Sequence, residues 1–464
     1  MLAKVTSNKK ENLQRLMVNL YRRKQLLEKL PSTSIEAQDI SVILNAKDYL
    51  TQLLTLIDNA KTRIYITALY LEDDEAGRLV VQHLIAAKEK VPTLDIKIFV
   101  DFHRARRGLI GQKECEGNAA FYREIDEKNP DFIQFYGVAV KQKELFGVLH
   151  LKGIVVDDTL AYTGASINNI YLHYGERYRY DRYCLLRSQP LANSFVEYLQ
   201  HALIPSEGVH LLGRHPLILD NQFKKQVAAQ HKQLTKTKYE IDDSGQHAAL
   251  SITPLIGLGK RNNQLNKVIH EQMLQTEHSL ILYTPYFNLP SILKRTITKL
   301  LRKGIKIEII VGDKRASDFF IPEDQEFSKI GLVPYLYETT LRQFVKRHQP
   351  SINSGLLTVR LWQHDTNSFH LKGMQVDKRY HLLTGNNLNP RAWRLDIENG
   401  LMIDDKNHQL TDIFDREHQE IIQHTTIVKD WQDIDALEDY PPFVKKWLGR
   451  LRKTNLDMLF KQYM

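Results

Sequence analysis

Two stretches of this chain carry the same succession of strand, helix, strand and polar motif, and no other feature limits the fold as tightly. In the first copy, RIYITALYL (63–71) reads as a strand rich in Ile, Tyr and Thr. EAGRLVVQHLIAAKEK follows with Leu79, Val80, Leu84 and Ile85 at helical spacing, and LDIKIFVD ends a second strand at Asp101. The second copy runs SLILYTPYF (279–287), SILKRTITKLLRKG, then IKIEIIVGD ending at Asp313. HLKGIVVDDTLAYTGASINN (150–169) then matches HLKGMQVDKRYHLLTGNNLN (370–389), and the interval between histidines nearly equals that between the strand-end aspartates. Alternating strands and helices predict mostly parallel sheets with helices outside, so each half is expected to be an α/β/α sandwich.

The chemistry sits in the repeated His-x-Lys-x4-Asp pattern. On a strand, a period of two places His150 with Lys152, and His370 with Lys372, on one face. Histidine serves as nucleophile or proton donor near neutral pH, and lysine supplies positive charge for phosphate oxygens. Neither motif offers the three or four ligands of a catalytic zinc site, so phosphoryl transfer with no metal and no cofactor is expected. A lone HxK pattern is common; two full copies in register are not. Asp157 and Asp377 close the patterns, either as part of the catalytic set or as residues that fix a turn.

Past each motif, Ser166 and Asn168, and likewise Asn387 and Asn389, share an alternation phase and are candidates for binding the phosphate. Asp181 and Glu398 each precede an apolar run. A buried histidine needs an acceptor on its second ring nitrogen, and these two carboxylates are the candidates to orient it. The competing reading is an ion pair with Arg179, Arg182 or Arg394.

The duplicated HxKx4D, followed by TG and polar residues, resembles the phospholipase D superfamily over roughly 55–200 and 265–425. Where many members carry Gly-Ser-x-Asn, the polar positions here fall two and four beyond Gly164 and Gly385. HLKG-x-x-VDD, TGAS-x-N, YRYDRY and TGNNLNPRAWRLD-x-EN are similar to the bacterial phospholipase D-type CDP-diacylglycerol–serine O-phosphatidyltransferases. The resemblance implies two halves sharing one active site at their interface. It implies CDP-diacylglycerol and L-serine as substrates, phosphatidylserine and CMP as products, and ping-pong transfer through a phosphatidyl-histidine. By the same analogy His150 is the nucleophile and His370 the acid/base. A cytoplasmic protein held peripherally at an anionic inner-membrane surface is also implied. A phospholipase D or cardiolipin synthase with another acceptor, or a phospholipase D-type nuclease, is the alternative.

The net charge of +9 suits anionic partners, including nonspecific polyanions, without choosing among them. No apolar run is long enough to span a bilayer, and two cysteines suit a reducing compartment. The expected domains are an N-terminal helical extension (1–45), a first half (46–203), a polar linker (204–248), a second half (249–430) and a basic amphipathic C-terminal helix (431–464). In that helix Trp447 with Lys445, Lys446, Arg452 and Lys453 has the profile of an interfacial anchor, and equally of a terminal helix packed on the body. Oligomeric state is left open.

Overall fold

The computed structural model describes residues 29–107, 116–213, 220–242, 244–322, 324–454 and 461. Each half contains a sheet, and the two sheets share one strand order. The first runs Ile40–Ile43, Tyr183–Arg187, Thr159–Thr163, Gly153–Val156, Arg63–Thr67, Asp95–Asp101, Gln134–Val138, Val209–Leu211. The second runs Leu250–Leu258, Ile397–Asp405, Tyr380–Thr384, Gly373–Val376, Ser279–Thr284, Lys306–Gly312, Leu357–Trp362, Thr425–Ile427. Thr33–Ser34 extends the outer edge of the second sheet.

The expectation of mostly parallel sheets needs correction. In each half only the three strands linked by helices are parallel, and the motif strands pair antiparallel. The reason is local: the short turn at Asp157 and Asp158 joins Gly153–Val156 directly to Thr159–Thr163, and only antiparallel strands close so tightly.

Alternation along each strand divides the apolar residues between two cores. Ile64 and Ile66 face an outer core with Leu53, Val80 and Leu84 from the helices Ala46–Asp58 and Glu75–Lys90. Tyr65 faces the other way, into an inner core that also holds Ile252, Leu401 and Ile403 of the second sheet. The helices Gln189–Tyr198 and Thr411–Ile422 add Phe195 and Phe414 to it, which completes the α/β/α layering. The halves are thus joined by a common core, and each fully buried Leu or Ile there contributes about 1.5–3 kcal/mol relative to exposure.

The boundaries shift from those expected. The described part of the N-terminal segment holds one 3-10 turn, Ala37–Asp39, and no α-helix; Ile40–Ile43 is the edge strand of the first sheet and the counterpart of Leu250–Leu258. Residues up to 28 lie outside the described region. The segment 204–248 is not a free linker: Val209–Leu211 pairs with Gln134–Val138, and the helix Asn221–Leu234 buries Phe223 and Val227. Its polar composition hid the apolar face, because one residue in four suffices to dock a surface helix. The C-terminal helix Pro442–Lys453 turns Val444 and Leu448 into the body against Tyr335 and Tyr440, and Trp447 packs beside them. That covers Val444 and Leu448, while Phe443 stays 44% exposed and Trp447 partly so. Lys446 and Lys453 remain exposed and Lys445 partly so, while the side chain of Arg452 lies outside the described residues.

Candidate active site

Each motif histidine leaves its own sheet and pairs with the other half. Leu149–His150 runs parallel to Ile397–Glu398, and Ser368–Phe369 runs parallel to Arg179–Tyr180. Leu149 N–H donates to Asp101 Oδ2 at 2.8 Å, so the strand-end aspartate helps place the first motif. The glycine closing each HLKG re-enters the sheet at positive φ, 136° at Gly153 and 147° at Gly373. A Cβ at Gly373 would stand 2.5 Å from Leu382 O, so glycine is required there.

This crossing supplies each imidazole with a carboxylate. His150 Nδ1 lies 2.8 Å from Glu398 Oε2, across the halves, and His370 Nδ1 lies 2.9 Å from Asp181 Oδ2, again across the halves. The competing ion pairs are not formed: Arg179 pairs with Asp318 and Arg182 with Glu417. Lys372 Nζ is 2.9 Å from Asp181 Oδ2 and touches His370, while Lys152 Nζ is 3.4 Å from Ser166 Oγ. Both lysines are 1% exposed. They enter through the TG turns, since a Cβ on Gly164 would meet Lys372 Nζ at 2.9 Å and one on Gly385 would meet Lys152 Cγ at 2.7 Å.

Two lysines and two histidines in one dry site repel each other's protons. Burial, then the charges of Lys152 and Lys372, drive the His150 pKa well below its ordinary value. Burial and Lys372 lower His370 to about 4, opposed by Asp181. Burial and the neighbouring Lys372 bring Lys152 down to about 7. The carboxylates diverge. Burial would raise Asp181, but Lys372 and His370 hold it below the usual range. Burial and Asp396 push Glu398 well above that range. An anionic phosphate placed between the lysines would favour their charged forms.

Asp157 and Asp377 are not part of this assembly. Each sits at the far end of its motif strand, some four residues and about 13 Å along the pleat from the glycine that follows the lysine. Asp157 accepts from the backbone N–H groups of Lys61, Thr62 and Arg63, and Asp377 from those of Glu277, His278 and Ser279. Both fix turns. The shared phase assumed for Ser166, Asn168, Asn387 and Asn389 also fails, because the strands end at Thr163 and Thr384 and alternation stops there. Ser166 does reach Lys152. Asn168 Oδ1 instead accepts from Tyr171 N–H, and Asn389 Oδ1 from Ala392 N–H, equivalent caps in the two halves.

Two residues of the site escaped the sequence reading. Asn399 brackets Lys152, accepting from its N–H and donating to its C=O, both at 2.8 Å. A polar side chain inside an apolar strand was the available signal. Tyr171 Oη lies 3.1 and 3.2 Å from the two ring nitrogens of His370, and nothing in its sequence context pointed there.

Comparison with known proteins agrees with this geometry. A family model described as cardiolipin synthase, PLD-like domain, matches residues 53–203 and 269–421. This chain belongs to the phospholipase D-like family. It is 43% identical to the CDP-diacylglycerol–serine O-phosphatidyltransferase PssA of Escherichia coli, over 95% of this chain and 98% of that one. It is 42% identical to the CDP-diacylglycerol–serine O-phosphatidyltransferase of Haemophilus influenzae, over 97% and 100%. The crystal structure of phosphatidylserine synthase from Haemophilus influenzae superposes with a TM-score of 0.93, at 42% identity, covering 96% of this chain and all of that one. The two matched segments hold the inner strands of the two sheets and leave out the edge strands Ile40–Ile43, Val209–Leu211, Leu250–Leu258 and Thr425–Ile427.

Proposed function

We propose that this chain transfers the phosphatidyl group of CDP-diacylglycerol to L-serine, giving phosphatidylserine and CMP. The observation that carries the chemistry is the reciprocal crossing, in which each buried histidine is held by a carboxylate of the opposite half. The near full-length likeness to two serine phosphatidyltransferases carries the choice of acceptor.

His150 attacks the phosphorus that bears diacylglycerol, and its bond to the CMP oxygen breaks as His370 protonates that oxygen. Serine then gives its hydroxyl proton to His370, its oxygen attacks phosphorus, and the bond to His150 breaks. Lys152 and Lys372 neutralise the phosphate oxygens throughout. The environments favour this order of roles. Both imidazoles are depressed, but Asp181, held ionised, opposes the fall of His370 and so favours the imidazolium a proton donor passes through, whereas His150 has Glu398, pushed well above the carboxylate range, as its partner.

CDP-diacylglycerol resides in the bilayer, so the reading includes docking at the cytoplasmic face of an anionic membrane, aided by the net charge of +9. Among the described residues no helix is long and apolar enough to cross a membrane. Radiolabelled serine entering lipid only with CDP-diacylglycerol, and a phosphatidyl adduct mapped to His150, are the expected results. An adduct on His370 would reverse the roles, and no serine incorporation would remove the acceptor assignment.

A further inference from the structure

His150 and His370 have matched carboxylates, yet their wider surroundings differ. Four side chains close a ring with His370. Tyr171 Oη is 3.2 Å from His370 Nε2; the Arg179 guanidinium lies over the Tyr171 ring at 4.5 Å; Arg179 Nε is 2.8 Å from Asp318 Oδ1. Asp318 Oδ2 then accepts from Tyr286 Oη at 2.9 Å, and the Tyr286 ring returns to His370 with centroids 6.5 Å apart. Arg179 and Asp318 are 15% and 13% exposed at their side chains, so both charges are largely out of water.

The ion pair is incomplete. Asp318 Oδ1, although close to Arg179, makes no hydrogen bond and is buried. Nε of Arg179 reaches only Asp318 and, at 3.4 Å, Ser368 Oγ, and its two terminal nitrogens have no partner among the described residues. The terminal nitrogens of the guanidinium and one carboxylate oxygen therefore keep unused hydrogen-bonding capacity side by side. Only Tyr171 and Tyr286 stand between this pair and the histidine that must take a proton from the acceptor alcohol.

We infer that Arg179 and Asp318 read the α-carboxylate and the α-ammonium of the acceptor amino acid, with its hydroxyl presented to His370 at the position Tyr171 Oη marks. The inference rests on the serine-transfer reading and names the residues that select serine. A planar guanidinium fork matches a carboxylate in two parallel hydrogen bonds, and the open carboxylate oxygen suits an ammonium. The pair as a whole is neutral, so a zwitterion bound to it adds no net charge to the site, and it offers no advantage to a phosphate, which the two lysines already serve. In serine one carbon separates the Cα bearing both charged groups from the hydroxyl, which fits a ring whose members touch each other and the histidine. Among the described residues the site around His150 has no such combination: Arg391 there is closed on Asp396 and on the carbonyls of Glu144 and Leu145.

Full-length protein with CDP-diacylglycerol in mixed micelles separates two half-reactions. Exchange of labelled CMP into CDP-diacylglycerol needs no acceptor, and serine transfer does. Arg179→Lys, Arg179→Met and Asp318→Asn are expected to raise the KM for serine by about 10- to 100-fold, as loss of a charged hydrogen bond does. Exchange should change no more than about threefold in the same variants. Discrimination should fail selectively: Arg179→Met loses the preference for serine over ethanolamine, which lacks the carboxylate. Asp318→Asn loses the preference over 3-hydroxypropionate, which lacks the ammonium. Parallel loss of exchange and transfer in all three variants would mean that the pair merely supports His370. An unchanged serine KM would also overturn the inference. A wild-type protein that exchanges CMP but transfers to no serine would instead overturn the parent reading.

Discussion

The aspartate that completes each motif is expected to matter for folding and not for turnover, and Asp157→Ala tests this directly. Its carboxylate accepts four hydrogen bonds, from Lys61 N at 2.9 Å, Thr62 N at 2.8 Å, Thr62 Oγ1 at 2.6 Å and Arg63 N at 3.2 Å. The site is half-buried, so water replaces part of what is lost, and about 0.5–1 kcal/mol per bond is appropriate. The sum is about 2–4 kcal/mol. In a chain this long each kcal/mol moves Tm by only about 1–2 °C, because the unfolding entropy grows with length. A fall in Tm of about 2–8 °C by scanning calorimetry is expected, with kcat within about threefold of wild type at 20 °C. Against the opposing effect of burial, the Thr62 hydroxyl and the backbone N–H bonds hold the folded-state pKa of Asp157 below its unfolded value. Its contribution is therefore complete above the unfolded pKa of about 4 and is lost as pH falls through the lower folded value. Wild type and variant should differ equally at pH 7 and pH 5, and converge in strong acid. Asp377→Ala, at the equivalent turn, should add to it, since the two turns share no partners. A kcat reduced a hundredfold with Tm unchanged would refute the structural role.

Gly385→Ala should lower kcat by about two orders of magnitude, because the added methyl would stand 2.7 Å from Lys152 Cγ and displace the ammonium; unaltered kcat would mean that Lys152 repositions freely. Arg182→Met leaves Glu417 a lone buried carboxylate and should cost about 3–5 kcal/mol in urea unfolding. Replacing both partners by apolar residues of similar volume should recover most of that loss. Lys152, lowered to about 7, loses charge as pH rises through that value, so the KM for CDP-diacylglycerol should climb above about pH 7. A flat KM from pH 6 to 9 would place the Lys152 pKa elsewhere.

The repeat, the four motif residues His150, Lys152, His370 and Lys372, and the candidate carboxylates Asp181 and Glu398 were legible without coordinates. Periodicity and matched order are local properties, and a chain that repeats them over two halves must build two similar sheets. What lay beyond the sequence was every relation across the halves. No spacing says that Glu398 reaches His150 while Asp181 reaches His370, since both follow from short parallel pairings between strands more than 180 residues apart. The turn-fixing role of Asp157 and Asp377 depended on which end of the sheet each strand finishes, and the caps at Asn168 and Asn389 on alternation ending with the strand. The linker misled, and the C-terminal helix was left between two readings, for a related reason: a sparse apolar face does not say whether protein or membrane covers it. Sequence determined which groups could do the chemistry; the crossing of the two halves, a consequence of their shared core, decided which of them meet.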